Sequence, residues 1–381
     1  MITVKLSGRI DSNNAGKVEE EVLDEIKDKA KEGVMFDASE LEYISSAGLR
    51  VLMKAAKMAG SNKAGIIEVS PEVYEIFEVT GFTELFDVKK RMRRVSIDGC
   101  EVIGKGFYGT VYRIDEDTII KVYDSPDSLP MIENEKKMAR LAFLKGIPTA
   151  ISYDIVRVGN SFGSVFELLR ARNFNDLIIE FPDKIEDTIH KYVDFVKLVH
   201  STEAEEGELP SAKKVYLDYL ENIKDYLSDD QYKGVRDYLE SIKDEKKIVH
   251  GDIQMKNVMM VDDEPMLIDM DTLSMGDPIF DFAGLYATYR EFSEDDPENT
   301  IHFFGISEET SCHIWDSFIR LYYNTDDEKK LKELSDKIRL VAAVRFLFII
   351  TGSRLKEGEL GQRRIKHTLE HIDELLGILG R

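Results

Sequence analysis

The segment Ile248-Val-His-Gly-Asp-Ile-Gln-Met-Lys-Asn-Val258, read together with Met266-Leu-Ile-Asp-Met-Asp271, limits what this chain can fold into more than any other feature. Asp252 and Asn257 stand five residues apart, and Ile268-Asp269 begins eleven residues after Asn257. Asp269 closes an apolar run, so both metal-binding groups are expected to leave strand ends and to face one cleft. A carboxylate that can accept a hydroxyl proton, with an amide and a second carboxylate that can hold magnesium, is the equipment phosphoryl transfer needs. His250-Gly-Asp252 alone would be satisfied as a turn with an Asx interaction. With Asn257 and Asp269 following in order, the pattern points to an ATP-dependent kinase.

Two upstream features have the same bearing. Ile103-Gly-Lys-Gly-Phe-Tyr-Gly-Thr-Val-Tyr112 places glycines at 104, 106 and 109, where a backbone without Cβ atoms can approach phosphate oxygens between two strands. Glycine-rich hairpin turns are common, and the motif by itself decides little. Twelve residues after Gly109, Lys121 lies within the apolar strand pattern Thr118-Ile-Ile-Lys-Val-Tyr123. A lysine in a buried strand needs a partner charge, and the next helix offers Glu133 and Glu135. Alone, Lys121 would read as a snorkelling structural lysine.

Residues 1–90 alternate strand and helix. Ile2, Val4 and Leu6 make a half-buried strand, Asn13 or Asn14 can cap a helix bearing Val18, Val22 and Ile26, and Gly33–Phe36 reads as an inner strand. A helix from Ser46 to Ala59, a strand at Gly65–Val69 and a helix from Ser70-Pro71 to Gly81 complete a small α/β domain. The basic run Lys89–Arg94 reads as a solvated linker, with the join at 91–97. A sheet-rich lobe over 98–170 and a helical lobe over 171–381 follow.

From about residue 97 the chain resembles the protein-kinase-like superfamily, in its aminoglycoside phosphotransferase and choline kinase branch. His250–Asn257 and Ile268–Asp281 carry the resemblance, including Gly251 before the aspartate, where protein kinases usually have arginine, and Gly276-Asp-Pro-Ile-Phe-Asp-Phe-Ala283. The resemblance implies an α+β bilobal fold with a sheet-rich N-lobe and a helical C-lobe. It implies that Asp252 accepts the substrate proton, that Asn257 and Asp269 hold magnesium, and that Lys121 contacts the ATP α- and β-phosphates while paired with Glu135. Glu167-Leu-Leu169 would be the hinge for adenine. Asp281 would brace the catalytic loop, cap a helix, or both, and Asp271 would touch metal or brace a loop.

Residues 1–90 resemble a STAS domain, the α/β fold of anti-sigma factor antagonists, through Asp37–Leu52 with its Ser45-Ser-Ala-Gly-Leu, Gly8-Arg-Ile-Asp11 and Val79-Thr-Gly-Phe82. The resemblance puts the phosphorylatable serine of such antagonists on Ser46. Ser45 stands where many members have aspartate. An ordinary helix N-cap is the alternative for Ser46, and a phosphate there would lie at a helix N-terminus.

Three functions follow as expectations. The first is a small-molecule kinase whose STAS module serves regulation or partner binding, and the second is a protein kinase acting on a STAS serine, in cis or in trans. The third is an inactive kinase-like scaffold in a partner-switching system. The acidic stretch Glu291–Glu298, with Tyr216–Tyr226, would suit an amine-bearing hydroxyl compound such as an aminoglycoside or choline. A net charge of −22 disfavours nucleic acid as a partner. Cys100 and Cys312 fit neither a disulfide framework nor a zinc site. Leu340–Gly352, the most apolar stretch, is interrupted by Arg345 and falls short of the ~20 residues a membrane span requires. With a strand pattern opening the chain, a cytoplasmic protein without a membrane role is expected.

Overall fold

The computed structural model describes residues 2–27, 33–60, 64–106 and 109–380. The chain forms two compact units, one chiefly of residues up to 96 and one chiefly of residues from 97 onward.

In the first unit, β1 (Ile2–Ile10), β2 (Val34–Ile44), β3 (Ala64–Val69) and β4 (Asp87–Lys90) form a parallel sheet in that order. Parallel neighbours need crossover connections, and the helices α1 (Ala15–Ile26), α2 (Ser46–Ala59) and α3 (Pro71–Val79) lie between successive strands. Inward residues of the strands, Val4, Leu6, Phe36 and Ile66, share one core with Val22, Ile26, Leu52 and Phe77 of the helices. Gly48 seats the first turn of α2: a Cβ there would lie 2.7 Å from the Ile44 side chain and 2.8 Å from that of Ile10.

Two boundaries differ from expectation. α3 stops at Val79, where the Thr80 hydroxyl turns back to the Ile76 carbonyl at 2.5 Å; Gly81 (φ 72°) then opens the short α4 (Phe82–Leu85). Lys89 and Lys90 of the basic run belong to β4, and the Arg91 N–H bonds to the Val69 carbonyl at 2.7 Å.

The second unit opens with β5 (Glu101–Lys105), β6 (Gly109–Arg113) and β7 (Thr118–Tyr123). β8 (Asp154–Val158) follows in the chain, its residues from 155 grouping with the first unit, and β9 (Ser161–Glu167) pairs with β7 so that the strands run β5-β6-β7-β9. α5 (Leu129–Leu144) buries Ile132, Glu135, Met138, Ala139 and Ala142. The short β10 (Arg172–Asn173) leads into α6 (Phe174–Glu180), α7 (Ile185–Ser201), α8 (Ala212–Asn222) and α9 (Asp229–Ser241). β11 (Ile248–Val249) pairs with β14 (Ser274–Met275), and β12 (Val258–Val261) forms a hairpin with β13 (Glu264–Leu267). Then come α10 (Ile279–Tyr286), a π-helical turn over Ala287–Glu291, α11 (Phe292–Glu294), α12 (Asn299–Phe304), α13 (Glu308–Tyr323), α14 (Glu328–Gly352) and α15 (Gly358–Leu379).

α14 is the axial element of the helical lobe, burying Leu340 to Val344, Phe346, Leu347 and Ile350. Among the described residues, no helix is long and apolar enough to cross a membrane.

Candidate functional site

Lys121 lies on β7, in register with Val111 of β6 and Ser164 of β9, so its strand has neighbours on both sides. Its ammonium is 3.3 Å from Glu135 Oε1 and forms an ion pair with Asp269. Burial alone would lower its pKa, but the Asp269 and Glu135 carboxylates outweigh that and hold it well above the ordinary lysine value. Glu135 is buried and also accepts the Tyr123 hydroxyl at 2.5 Å, whereas Glu133 is exposed. Of the two candidate acids, Glu135 is the partner.

The loop carrying Asp252 is held from several directions. Asp281, at the third position of α10, is fully buried and accepts the His250 N–H at 2.9 Å, the Gly251 N–H at 2.5 Å and His200 Nε2 at 2.9 Å. Burial would raise the Asp281 pKa; the His200 hydrogen bond and charge, with His250 beside it, bring it below the usual carboxylate value. The helix N-cap alternative for Asp281 is not realised, since α10 begins after Pro278. The Asp252 N–H donates to His250 Nδ1 (3.2 Å) while Nε2 lies 3.1 Å from the Ile268 carbonyl, so Nε2 carries the proton. Gly251 has φ +84°, and a Cβ there would stand 2.7 Å from the Thr272 carbonyl oxygen, which explains glycine at this position.

Around Asp252 the donors are divided between its oxygens. Oδ2 accepts from Asn257 Nδ2 and from Gln254 Nε2, each at 2.9 Å, and Oδ1 from Arg345 at 3.3 Å. Asn257 Nδ2 also bonds to the Asp252 carbonyl at 2.8 Å, and the Ile268 N–H bonds to the Asn257 carbonyl at 3.0 Å. The β12–β13 hairpin therefore sets Ile268, the residue before Asp269, against Asn257, whose side chain holds Asp252. Asp269 itself adopts a left-handed conformation (φ 59°), rare for a residue with a side chain.

The donor set suits a hard cation. Asn257 retains its amide oxygen, and Asp269 is a carboxylate. Nearby Asp271 is pushed up to about 6, first by burial and then by the charges of Glu135 and Asp269. No cluster of three His, Cys, Asp or Glu side chains among the described residues is placed to hold a metal. Magnesium requires only one or two carboxylates when phosphates and water complete its shell.

The three glycines divide by role. Gly109 is sterically obligatory, because a Cβ would lie 2.2 Å from the Val122 carbonyl oxygen. At Gly104 and Gly106 a Cβ would meet nothing closer than 3.7 Å among the described residues, and the Gly106 N–H bonds to the Gly109 carbonyl at 2.8 Å. Phe107 and Tyr108 of the motif lie outside the described residues. In the hinge candidate, Glu167 ends β9 opposite Thr118, Leu168 N–H bonds to the Asp117 carbonyl at 2.7 Å, and Leu169 follows the strand.

Two expectations need correction. Ser45, not Ser46, caps α2: its backbone stays extended and its hydroxyl accepts the Ala47 N–H at 3.2 Å, leaving Ser46 exposed as the first helical residue. The acidic stretch Glu291–Glu298 is largely engaged within the lobe. Glu291 is buried; Asp295 meets Arg363 at 3.0 Å and His367 at 2.8 Å, and Glu294 lies 3.6 Å from His371. Tyr216 is likewise internal, its hydroxyl bonding to the Phe280 carbonyl at 2.9 Å, and Tyr219 stacks on Phe348 at 4.1 Å.

A sheet-rich region followed by a helical one is the architecture of a kinase-like phosphotransferase fold. The phosphotransferase enzyme family matches residues 99–312 and the STAS domain matches residues 1–94. The chain belongs to the phosphotransferase enzyme family and carries a STAS domain at its N-terminal end. A Bordetella bronchiseptica protein named as an anti-sigma factor antagonist, BtrV, is 38% identical over 90 residues, 23% of this chain and 77% of that protein. Similar solved structures include the GDP complex of wild-type aminoglycoside 2'-phosphotransferase-IIIa, 14% identical with TM-score 0.49, covering 80% of this chain and 97% of that one. A choline/ethanolamine kinase family protein from Mesorhizobium loti is 14% identical with TM-score 0.49, covering 73% and 87%.

Proposed function

We propose that the chain transfers the γ-phosphate of magnesium-ATP to a hydroxyl group of a small molecule, with the STAS domain serving regulation or partner binding. The observations that support the reading are the ion pairs of Lys121 with Glu135 and Asp269 and the hydrogen bond that joins Asn257 to Asp252. The acceptor oxygen attacks the γ-phosphorus, its proton passes to Asp252, and the bond to the ADP oxygen breaks. Lys121, kept charged by its two carboxylates, faces the α- and β-phosphates. Asn257 and Asp269 would hold magnesium, which supplies charge neutralisation to the phosphates when bound. Gly104, Gly106 and Gly109 would lie over the phosphates, and Glu167 and Leu169 would offer backbone groups to adenine. Catalysis is then mainly positioning and electrostatic stabilisation.

Engagement of Asp295 and Glu294 by α15 leaves little acidic charge there for an amine, so the acceptor screen is not restricted to cations. An ATP-consumption screen over sugars, amino alcohols, aminoglycosides and STAS proteins, with Asp252→Ala as control, tests the reading. Background turnover with every acceptor would overturn it. The exposed Ser46 at the head of α2 supports a second reading, a kinase acting on a STAS serine. Its mark is a phosphate on Ser46 in intact-mass analysis that disappears in Asp252→Ala.

A further inference from the structure

We infer that Arg345 is a positioning residue for Asp252: from α14 it fixes the Gly251–Asp252 peptide and the Asp252 carboxylate in the orientation that receives the acceptor proton. The inference rests on the phosphotransferase reading above and adds a residue that lies outside the 99–312 family match.

Arg345 sits in the most apolar part of α14, between Val344 and Phe346, both buried. Its side chain is only 14% exposed. A guanidinium in such a place is costly unless its donors are matched. One nitrogen donates to the Gly251 carbonyl and the other lies 3.3 Å from Asp252 Oδ1. Burial works against its charge, but Tyr216, Asp252 and Tyr219 outweigh that and keep it protonated. Gly284 of α10 lies beside it, where a Cβ would stand 3.5 Å from the guanidinium carbon, an ordinary contact distance.

The geometry clamps residue 251 at both polar backbone atoms. Its N–H is held by the Asp281 carboxylate and its C=O by Arg345, and the residue between is in the left-handed region. Asp281 thus holds the peptide before Gly251 and Arg345 the peptide leading into Asp252, each by a charge-assisted bond. Oδ2 already has two amide donors, whereas Arg345 is the donor on Oδ1 among the described residues. A carboxylate oxygen has two lone pairs, so Oδ1 keeps capacity for the acceptor hydroxyl. A planar fork spans two acceptors on adjacent residues, which a lysine ammonium on a flexible stem does not reproduce.

The test uses the full chain with magnesium-ATP and water as the acceptor, comparing wild type, Asp252→Asn, Arg345→Lys and Arg345→Ala. Arg345→Lys is expected to melt near the wild-type temperature and keep its KM for magnesium-ATP, while kcat falls about 10- to 100-fold, the scale of a misplaced reacting group. Guanidinium, added well below unfolding concentrations, should restore turnover several-fold in Arg345→Ala and not in Asp252→Asn. Wild-type kcat in Arg345→Lys, or a folded Arg345→Ala indifferent to guanidinium, overturns the inference; if Arg345→Ala does not fold, Arg345→Lys decides. Turnover above background that is equal in wild type and Asp252→Asn overturns the phosphotransferase reading instead, and with it any role for a residue that positions Asp252.

Discussion

Glu135 divides its carboxylate between two residues of β7, with Oε1 3.3 Å from the Lys121 ammonium and Oε2 2.5 Å from the Tyr123 hydroxyl. Glu135 is buried and Lys121 half-buried, so removing the charge from Glu135 leaves Lys121 to Asp269 alone and draws it toward that carboxylate. Glu135→Gln preserves the Tyr123 hydrogen bond and the side-chain volume. It is expected to raise KM for magnesium-ATP about tenfold, equivalent to ~1.4 kcal/mol. Titration of the nucleotide in a coupled turnover assay reads this directly, and an unchanged KM would separate the ion pair from nucleotide binding.

Gly251 presents a steric question that one substitution answers. Its φ is +84°, and a Cβ would stand 2.7 Å from the Thr272 carbonyl oxygen. Gly251→Ala should therefore either strain the loop or shift it away from Thr272. The expected stability loss is about 1–3 kcal/mol, with a larger proportional loss of turnover because Asp252 moves with the loop. Melting curves and turnover measured on the same preparation check both halves. An alanine variant as stable and active as wild type would mean that the loop is free to relax.

The cluster around Asp252 was legible in the sequence because its members lie in a short run whose strand and turn spacing dictates where they meet. Asp252, Asn257 and Asp269 are joined by one hairpin, and Lys121 and Glu135 by consecutive elements. Arg345 was visible only as a charge interrupting an apolar helix, and its carboxylate partner is 93 residues away, beyond any local rule. The engagement of Glu294 and Asp295 left a fainter trace: Arg363, His367 and His371 recur every four residues, which places them on one face of α15. The slip from Ser46 to Ser45 arises because Ser45 still has the extended backbone of β2, a matter of one residue that composition does not resolve.

That one-residue difference is itself testable. Ser45→Ala removes the oxygen that accepts the Ala47 N–H and should cost the first unit about 0.5–2 kcal/mol. Ser46→Ala, at an exposed helical position, should stay within about 0.5 kcal/mol of wild type. Thermal unfolding of the two variants side by side makes the comparison. Equal losses, or a greater loss for Ser46→Ala, would reassign the cap.

Glu291 closes the π-helical turn with a buried carboxyl group, and its Oε2 has no hydrogen-bond partner among the described residues. Burial, with Glu294 beside it, raises its pKa well above 4.5 against the opposing charge of Arg339. The folded protein then keeps a proton that the unfolded chain gives up near the ordinary value. Its contribution is thus fully present below about pH 4.5 and is lost as pH climbs toward the folded-state value. One proton corresponds to at most about 1.4 kcal/mol per pH unit. Glu291→Gln keeps the shape and removes the titration, so its melting temperature relative to wild type should be higher at pH 8 than at pH 5. Buried glutamine will have its own unsatisfied amide, which shifts both measurements equally and leaves the difference between the two pH values as the diagnostic. If that difference is zero, the Glu291 carboxyl is ionised in the folded lobe, which requires water or a cation to reach the π-helical turn.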